Sequence, residues 1–402
     1  MKLQAKVTND NGNSEQALII NDELIRQPNT YALELAYKRV GDKSIEELVE
    51  NLYENLFVSI QSPALDFPGQ YYIGKAAIDK GTTKQNMNAG KEYKADSAIP
   101  VVNTIGNIAA WAVKTSFNKK GKLVKDLEVT VDMTTALPVT EYKLGSKHNK
   151  EFENKFMEGT HTAVVFLGEE KVNVKINFDF VKVLPEGTAV LFYLNHLSKS
   201  HEVLQDFAKK YDIKPIDGKY FQDKRLLHVD IGDGTTELPI TRHMAFDEDK
   251  AEGLNMGIAH AIVQAMNLFT SQETGYAGLN RQKFSEYLKD AENHSYEAPK
   301  AHSYMQIALQ PVISEIINKI KEQLDKAYNE IDVVVVYGGG SILMKDLMEP
   351  LLEKELGRRK GGQIKLFWVP KAYAPLMNVE GMDAFMKLGM FDRVKEAVLT
   401  SN

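Results

Sequence analysis

An α/β protein of two domains is what this sequence predicts, and three observations carry the prediction. Strand and helix patterns alternate along nearly the whole chain, which implies layered α/β architecture. One plan, a strand, an acidic-glycine turn, a second strand and then helices, occurs at the N-terminus and again about halfway along. The 402 residues exceed what one ordinary hydrophobic core accommodates.

Taken in order, residues 3–8 read as a strand, broken by Asn9-Asp10-Asn11-Gly12-Asn13, and residues 16–20 as its returning partner. Ser44 with Glu47 three residues later forms a capping box. Behind it Ile45, Leu48, Leu52, Leu56 and Ile60 recur at helical spacing. A second helix carries Ile105, Ile108, Ala109, Ala112 and Val113 and runs out at Asn118-Lys119-Lys120-Gly121. The stretch between them, residues 63–100, reads as loop-rich.

Strands follow at 127–133, ending near Leu137-Pro138, then at 162–167 and 172–183, the last stopping at Leu184-Pro185-Glu186-Gly187. Residues 203–211 read as a helix. The plan then restarts: a strand at 226–231, the turn Gly232-Asp233-Gly234-Thr235-Thr236, and a strand at 237–241. Helices are expected from near Leu254 (Leu254, Ile258, Ala261, Ile262, Ala265) and from near Met305. A valine run at 333–336 feeds Tyr337-Gly338-Gly339-Gly340-Ser341 and another helix, and residues 381–399 are helical again. These patterns divide the chain into residues 1–220 (with an insertion at about 30–110), residues 221–380, and a C-terminal helix at 381–402 expected to pack back on the first domain.

Three glycine turns, each just after an apolar strand, carry the chemistry. In the first, Asp10, Asn11, Gly12, Asn13 and Ser14, glycine lets backbone N–H groups approach an anion, and short polar side chains add donors. The carboxylate of Asp10 suits a hydrated Mg2+ ion that bridges phosphates. Taken alone, the same residues also make an ordinary hairpin turn. The second, Asp230-Ile231-Gly232-Asp233-Gly234-Thr235-Thr236, combines a strand-end carboxylate with two glycines and two hydroxyls, a metal anchor beside a phosphate cradle. In the third, Gly338, Gly339, Gly340 and Ser341 open a helix, where backbone lies flat against a ligand; a tight βα turn has the same composition. Neither a Walker A lysine nor the glycine spacing of a dinucleotide fingerprint is present. Together the three turns suit one nucleotide triphosphate with its metal, held in a cleft between the domains.

Composition narrows the classes. A net charge of -6 gives no overall positive field for direct nucleic-acid binding. With no cysteine, thiolate-zinc, disulfide and cysteine-nucleophile chemistries are excluded. The N-terminal residues carry no apolar signal core and no stretch is long enough to cross a bilayer, so a soluble cytoplasmic protein is expected.

At this point the sequence resembles the actin, Hsp70 and sugar-kinase superfamily, and within it the ParM-like bacterial actins. Asp10-Asn11-Gly12 is similar to the first phosphate loop, residues 230–236 to the second, and residues 333–341 to the adenosine motif. Thr135-Ala136-Leu137-Pro138-Val139-Thr140-Glu141-Tyr142 resembles the segment ending the fourth strand. Val181-Lys182-Val183-Leu184-Pro185-Glu186 resembles the Pro-Glu that bears the catalytic glutamate, and residues 378–381 the late Asn-Gly segment. The resemblance implies the actin-like fold, two RNase H-like domains around a nucleotide cleft.

It also implies ATP (or GTP) with Mg2+ as ligands and Glu186 and Asp230 as catalytic residues. Glu186 would orient the water that attacks the γ-phosphate, Asp10 and Asp230 would hold the hydrated metal, and Thr235 would add a donor. Glu141 is a weaker candidate for the glutamate's role. Many relatives carry a phosphate-reaching lysine five residues after the first loop's glycine; here that position is Ala17. The implied function is an ATPase whose self-assembled filaments segregate plasmid DNA through a DNA-binding adaptor, with no direct nucleic-acid or membrane contact. A small-molecule kinase of the same superfamily is the alternative, although no sugar- or acid-binding constellation is found.

Overall fold

The first strand shows how the sequence builds the sheet. In β1 (Lys2–Asn11) Leu3, Ala5 and Val7 are buried and alternate with exposed Lys2, Gln4 and Lys6, one face in and one face out. From Thr8 the strand enters the interior and Thr8, Asn9 and Asn11 are all buried. The polar strand end is therefore the part placed inside. The computed structural model describes residues 1–35, 37, 43–87 and 92–400. By its contacts the chain divides into one unit of Met1–Tyr193 with Asn378–Asn402 and another of Leu194–Met377.

The first unit holds β1, β2 (Glu15–Ile20), β3 (Glu23–Pro28), β4 (Thr30–Leu33), β5 (Phe57–Gln61), β6 (Gly69–Ile73), β7 (Thr83–Asn86), β8 (Asp126–Leu137), β9 (His161–Leu167) and β10 (Glu170–Pro185). They form one sheet in the order β3-β2-β1-β8-β10-β9-β5-β6-β4-β7. β1 runs antiparallel to β2 and parallel to β8, which is parallel to β10. The second unit holds β11 (Arg225–Ile231), β12 (Thr236–Arg242), β13 (Ala245–Leu254), β14 (Val333–Tyr337) and β15 (Lys365–Trp368), in the order β13-β12-β11-β14-β15. Here too β11 is antiparallel to β12 and parallel to β14, itself parallel to β15.

The five strands β3-β2-β1-β8-β10 and the five of the second sheet thus share one topology. The repeated plan in the sequence is a repeated fold. The hairpins match even in register: Asp10 faces Ala17 and Asp230 faces Glu237, while Asn11 faces Gln16 and Ile231 faces Thr236.

Helices cover the sheets with apolar faces. Ile99–Lys120 is buried along most of its length and ends at Gly121, whose φ of 65° gives the left-handed C-terminal stop. Glu297–Lys326 buries Met305, Ala308, Val312, Ile316, Ile320 and Leu324 at three- and four-residue spacing in the core of the second unit.

Two sequence expectations are corrected. The helix expected through Ile60 ends at Glu50, and Phe57–Gln61 is strand β5. Phe57 and Val58 pair with Tyr72 and Val165, and aromatic and β-branched side chains between two partner strands outweigh a helical spacing. Leu254, expected to open a helix, ends β13 opposite Thr236, and the helix starts at Ile258 after Gly257. Within residues 63–100 lie β6, β7 and the helix Lys75–Lys80.

Candidate functional site

In the first unit the β1–β2 turn is gripped from behind by amides. Asn29 donates its Nδ2 to the Gly12 carbonyl at 2.7 Å and its backbone N–H to the Ser14 carbonyl at 2.9 Å. Asn103 Nδ2 donates to Asn29 Oδ1 at 2.8 Å. Asn9 Nδ2 donates to Thr104 Oγ1 at 2.8 Å, Gln16 Nε2 to Asn9 Oδ1 at 2.9 Å, and Asn107 Nδ2 to Gln16 Oε1 at 3.0 Å. Asn103, Thr104 and Asn107 are polar interruptions in the buried face of helix Ile99–Lys120, and all three join the network behind this turn.

Gly12 is required by space, since a Cβ there would lie 2.8 Å from the Glu15 carbonyl oxygen. The carboxamide of Asn11 is wholly buried, yet neither its Nδ2 nor its Oδ1 meets a partner. A buried amide left unpaired costs about 1–3 kcal/mol. That cost is offset when a polar ligand reaches it.

Glu186 follows the last residue of β10. Pro185 is in register with Leu137 of β8, and Glu186 N–H donates to the Leu137 carbonyl at 2.8 Å. Gly187 turns the chain with a φ of 79° and donates its N–H to Asn378 Oδ1 at 3.2 Å. Gly381 allows the helix Met377–Lys387 to close on this turn: a Cβ would sit 2.3 Å from the Ala189 carbonyl oxygen.

The Glu186 carboxylate is ion-paired with Lys94, which is only 4% exposed. Burial opposes the charge on Lys94, but Glu186, Asp10 and Glu141 outweigh it and raise the ammonium's pKa. Glu141 is buried and accepts the backbone N–H groups of Lys94 at 2.9 Å and Ala95 at 2.8 Å. His148 Nε2 stands 3.1 Å from Glu141 Oε1. The Glu141 carboxylate is thus spent on fixing a loop.

In the second unit the Asp230 and Gly338 turns pack on each other. Gly340 N–H donates to the Ile231 carbonyl at 2.8 Å, and Gly232 N–H to the Thr235 carbonyl at 2.9 Å. The N-terminus of helix Ile258–Gln272 closes on the same turn, Ile258 N–H donating to the Gly232 carbonyl at 3.1 Å and Ala259 N–H to that of Asp233 at 2.8 Å. Asp233 is itself ion-paired with Arg281. Ser341 Oγ donates back to the Gly338 carbonyl at 2.8 Å, inside its own turn. Nothing lies within 4 Å of the place a Gly339 Cβ would take.

The structure therefore brings Asp10, residues 11–14 and Glu186 together in the first unit, and Asp230, residues 232–235 and residues 338–341 together in the second. Sequence reading missed Lys94 and Arg281. Neither sits in a periodic pattern, and single basic residues among 49 give no signal of their own.

Gly338 has a φ of 86°, and a Cβ on it would stand 2.5 Å from both Asp230 Oδ1 and the Ile231 carbonyl oxygen. Gly338→Ala is therefore expected to lower stability by about 2–3 kcal/mol. Gly339→Ala should stay within about 0.5 kcal/mol of the parent. Denaturant unfolding of both variants checks this, and equal losses would refute the packing argument.

Metal fit follows from donor chemistry. Among the described residues no group of three or more His, Cys, Asp or Glu forms a ready-made cage. Mg2+ does not require one: it keeps several waters and takes one or two carboxylates plus phosphate oxygens. Asp10 in the first unit and Asp230 in the second are each a carboxylate of that kind.

Residues 228–349 match the family model described as "Archaeal actin homologue MreB-like, C-terminal". At the level of sequence no curated protein matches the chain. Among solved structures, the actin-like protein Alp7A superposes with a TM-score of 0.68 at 15% identity, covering 100% of this chain and 99% of its own. A non-polymerisable quadruple mutant of pCBH ParM gives 0.63 at 15%, covering 96% and 100%. Bacillus thuringiensis ParM with ATP gives 0.60 at 14%, covering 96% and 99%. With both units built on one strand order and these likenesses running the length of the molecule, the chain has the actin-like fold.

Proposed function

We propose that this protein is a nucleotide-dependent filament former, an ATPase (or GTPase) that moves plasmid DNA by assembly and hydrolysis-driven turnover. The observation that carries the reading is the repeated hairpin: each unit's first strand has a carboxylate, Asp10 or Asp230, one residue before its end, followed by a glycine turn in the same register. Residues 10–14 and 232–235 supply backbone N–H groups to phosphates, and residues 338–341 lie against the nucleoside. Asp10 and Asp230 hold the hydrated metal. Mg2+, when bound, neutralises charge on the phosphate oxygens. Glu186 orients the attacking water and accepts its proton.

The solved structure of the Bacillus thuringiensis ParM contains ATP, which supports the choice of ligand. Self-association is the partner interaction expected first, and a DNA-binding adaptor connects the polymer to its cargo. Among the described residues no helix is long and apolar enough to cross a membrane.

Light scattering and pelleting with Mg2+ and ATP, GTP, ADP or no nucleotide test the proposal. Triphosphate-dependent polymer that declines as phosphate is released is expected. A chain that binds triphosphate but stays monomeric across concentration and salt would remove the filament role and leave a nucleotide-binding enzyme.

A further inference from the structure

We propose that Lys94 is the cation that receives the nucleotide's terminal phosphate, and that before the nucleotide arrives the same ammonium holds Glu186. The inference rests on the nucleotide reading above. The first turn brings no basic side chain: residues 10–17 are Asp, Asn, Gly, Asn, Ser, Glu, Gln and Ala. A polyphosphate entering there meets Asp10, with Glu186 at the end of β10, two negative groups that repel it. Lys94 is the positive group that the structure sets against both.

Its placement is built. A lysine is rarely buried unless paired, and this one is 4% exposed with its charge retained. The loop is clamped through its backbone, by Glu141 on the N–H groups of Lys94 and Ala95 and by Lys155 on the Ala95 carbonyl. Glu141 is held in turn by His148, and Lys155 and His148 share the helix Ser146–Met157.

With the backbone fixed by other residues, the side chain changes partner without moving the loop. The four-carbon stem of lysine ends in a compact ammonium with three rotatable donors, suited to such an exchange. A purely structural buried pair gains little over apolar packing of the same volume. Handing Lys94 to the phosphate releases the Glu186 carboxylate for the water only when a triphosphate is present. The structure shows Glu186 in this ion pair.

The test compares Mg-ATP and Mg-ADP affinity by titration calorimetry in the wild type, Glu186→Gln, and the double variant Lys94→Met with Glu186→Gln. The double variant removes both members of the ion pair and so avoids the unpaired carboxylate that Lys94→Met alone would leave at residue 186. Loss of a charge-assisted contact is expected to weaken ATP by about 10- to 100-fold relative to Glu186→Gln. ADP should change by less than about threefold on the same scale.

Lys94→Arg in the Glu186→Gln background should recover part of the ATP affinity that Lys94→Met loses in that same background. Equal weakening of ATP and ADP makes Lys94 a structural residue and overturns the proposal, as does unchanged ATP affinity. A wild type that binds neither nucleotide sinks the nucleotide reading itself, and this outcome is distinct from both.

Discussion

Glu186→Gln is expected to slow phosphate release from bound ATP by about 10²- to 10⁴-fold, the usual range for removing a general base or water-orienting carboxylate. Glutamine keeps the length of the side chain and an oxygen that accepts from Lys94. It cannot take a proton, and it presents a half-donor face to the water. The backbone that places residue 186 is independent of the side chain: its N–H is tied to Leu137, and the next residue to Asn378.

Mg-ATP affinity should be no weaker than in the wild type, because glutamine neither repels the polyphosphate nor competes with it for Lys94 as a charged partner. Polymers, if hydrolysis drives their turnover, should persist. Single-turnover phosphate release alongside nucleotide titration separates the two effects. Normal release in the variant would remove Glu186 from the chemistry and return the search to the other carboxylates of the unit.

The sequence showed the frame of this fold more fully than its edges. β1, β2, β8, β9, β10, β11, β12 and β14 were legible because each is an apolar or alternating run bounded by turn residues, and the two acidic-glycine hairpins announced the internal repeat. The resemblance to actin-type proteins drawn from those residues agrees with the fold.

Strands β3, β4, β6 and β7 were not legible. They are short, and β7 (Thr83–Asn86) carries no apolar residue at all, so pairing with β4 defines it and no pattern does. The stretch at 45–60 misled because Leu52 and Leu56 serve the core on either side of a short 3-10 turn, and two different elements happened to keep a helical spacing.

At the candidate site the strand-end residues were readable, since a carboxylate beside glycine after an apolar run is a local signal. The supports were not. Asn103, Thr104 and Asn107 become meaningful only when their helix is laid against β1, and Lys94 only when residue 186 arrives beside it from 92 positions away.

Acid should unfold the second unit through His228, and the expected effect is large. This side chain is wholly buried on β11, with Nε2 2.9 Å from Thr241 Oγ1 of β12 and its ring 6.2 Å from the ring of Tyr337 on β14. Its Nδ1 has no partner, so a proton added there would be an unpaired buried charge. Burial pushes the pKa down to about 3 from an ordinary 6.5.

Above pH 6.5 the histidine is neutral in both the folded and unfolded chain, and its contribution is complete. Below 6.5 the unfolded chain takes up a proton that the folded chain refuses. Stability then falls by about 1.4 kcal/mol per pH unit and levels off near pH 3, a total of about 4–5 kcal/mol. His161 in the first unit, whose pKa burial also lowers, adds a loss of the same sign there.

The two tryptophans lie one in each unit, Trp111 in the first and Trp368 on β15 in the second. A Trp111→Phe background therefore makes indole fluorescence report the second unit alone. In that background, urea unfolding from pH 7.5 to 4.5 should show stability falling more steeply with His228 present than in His228→Gln. The difference should grow to about 2–3 kcal/mol by pH 4.5. Parallel curves would mean that His228 accepts its proton in the folded state. The carboxylate pairs common to both proteins would then account for all of the acid sensitivity.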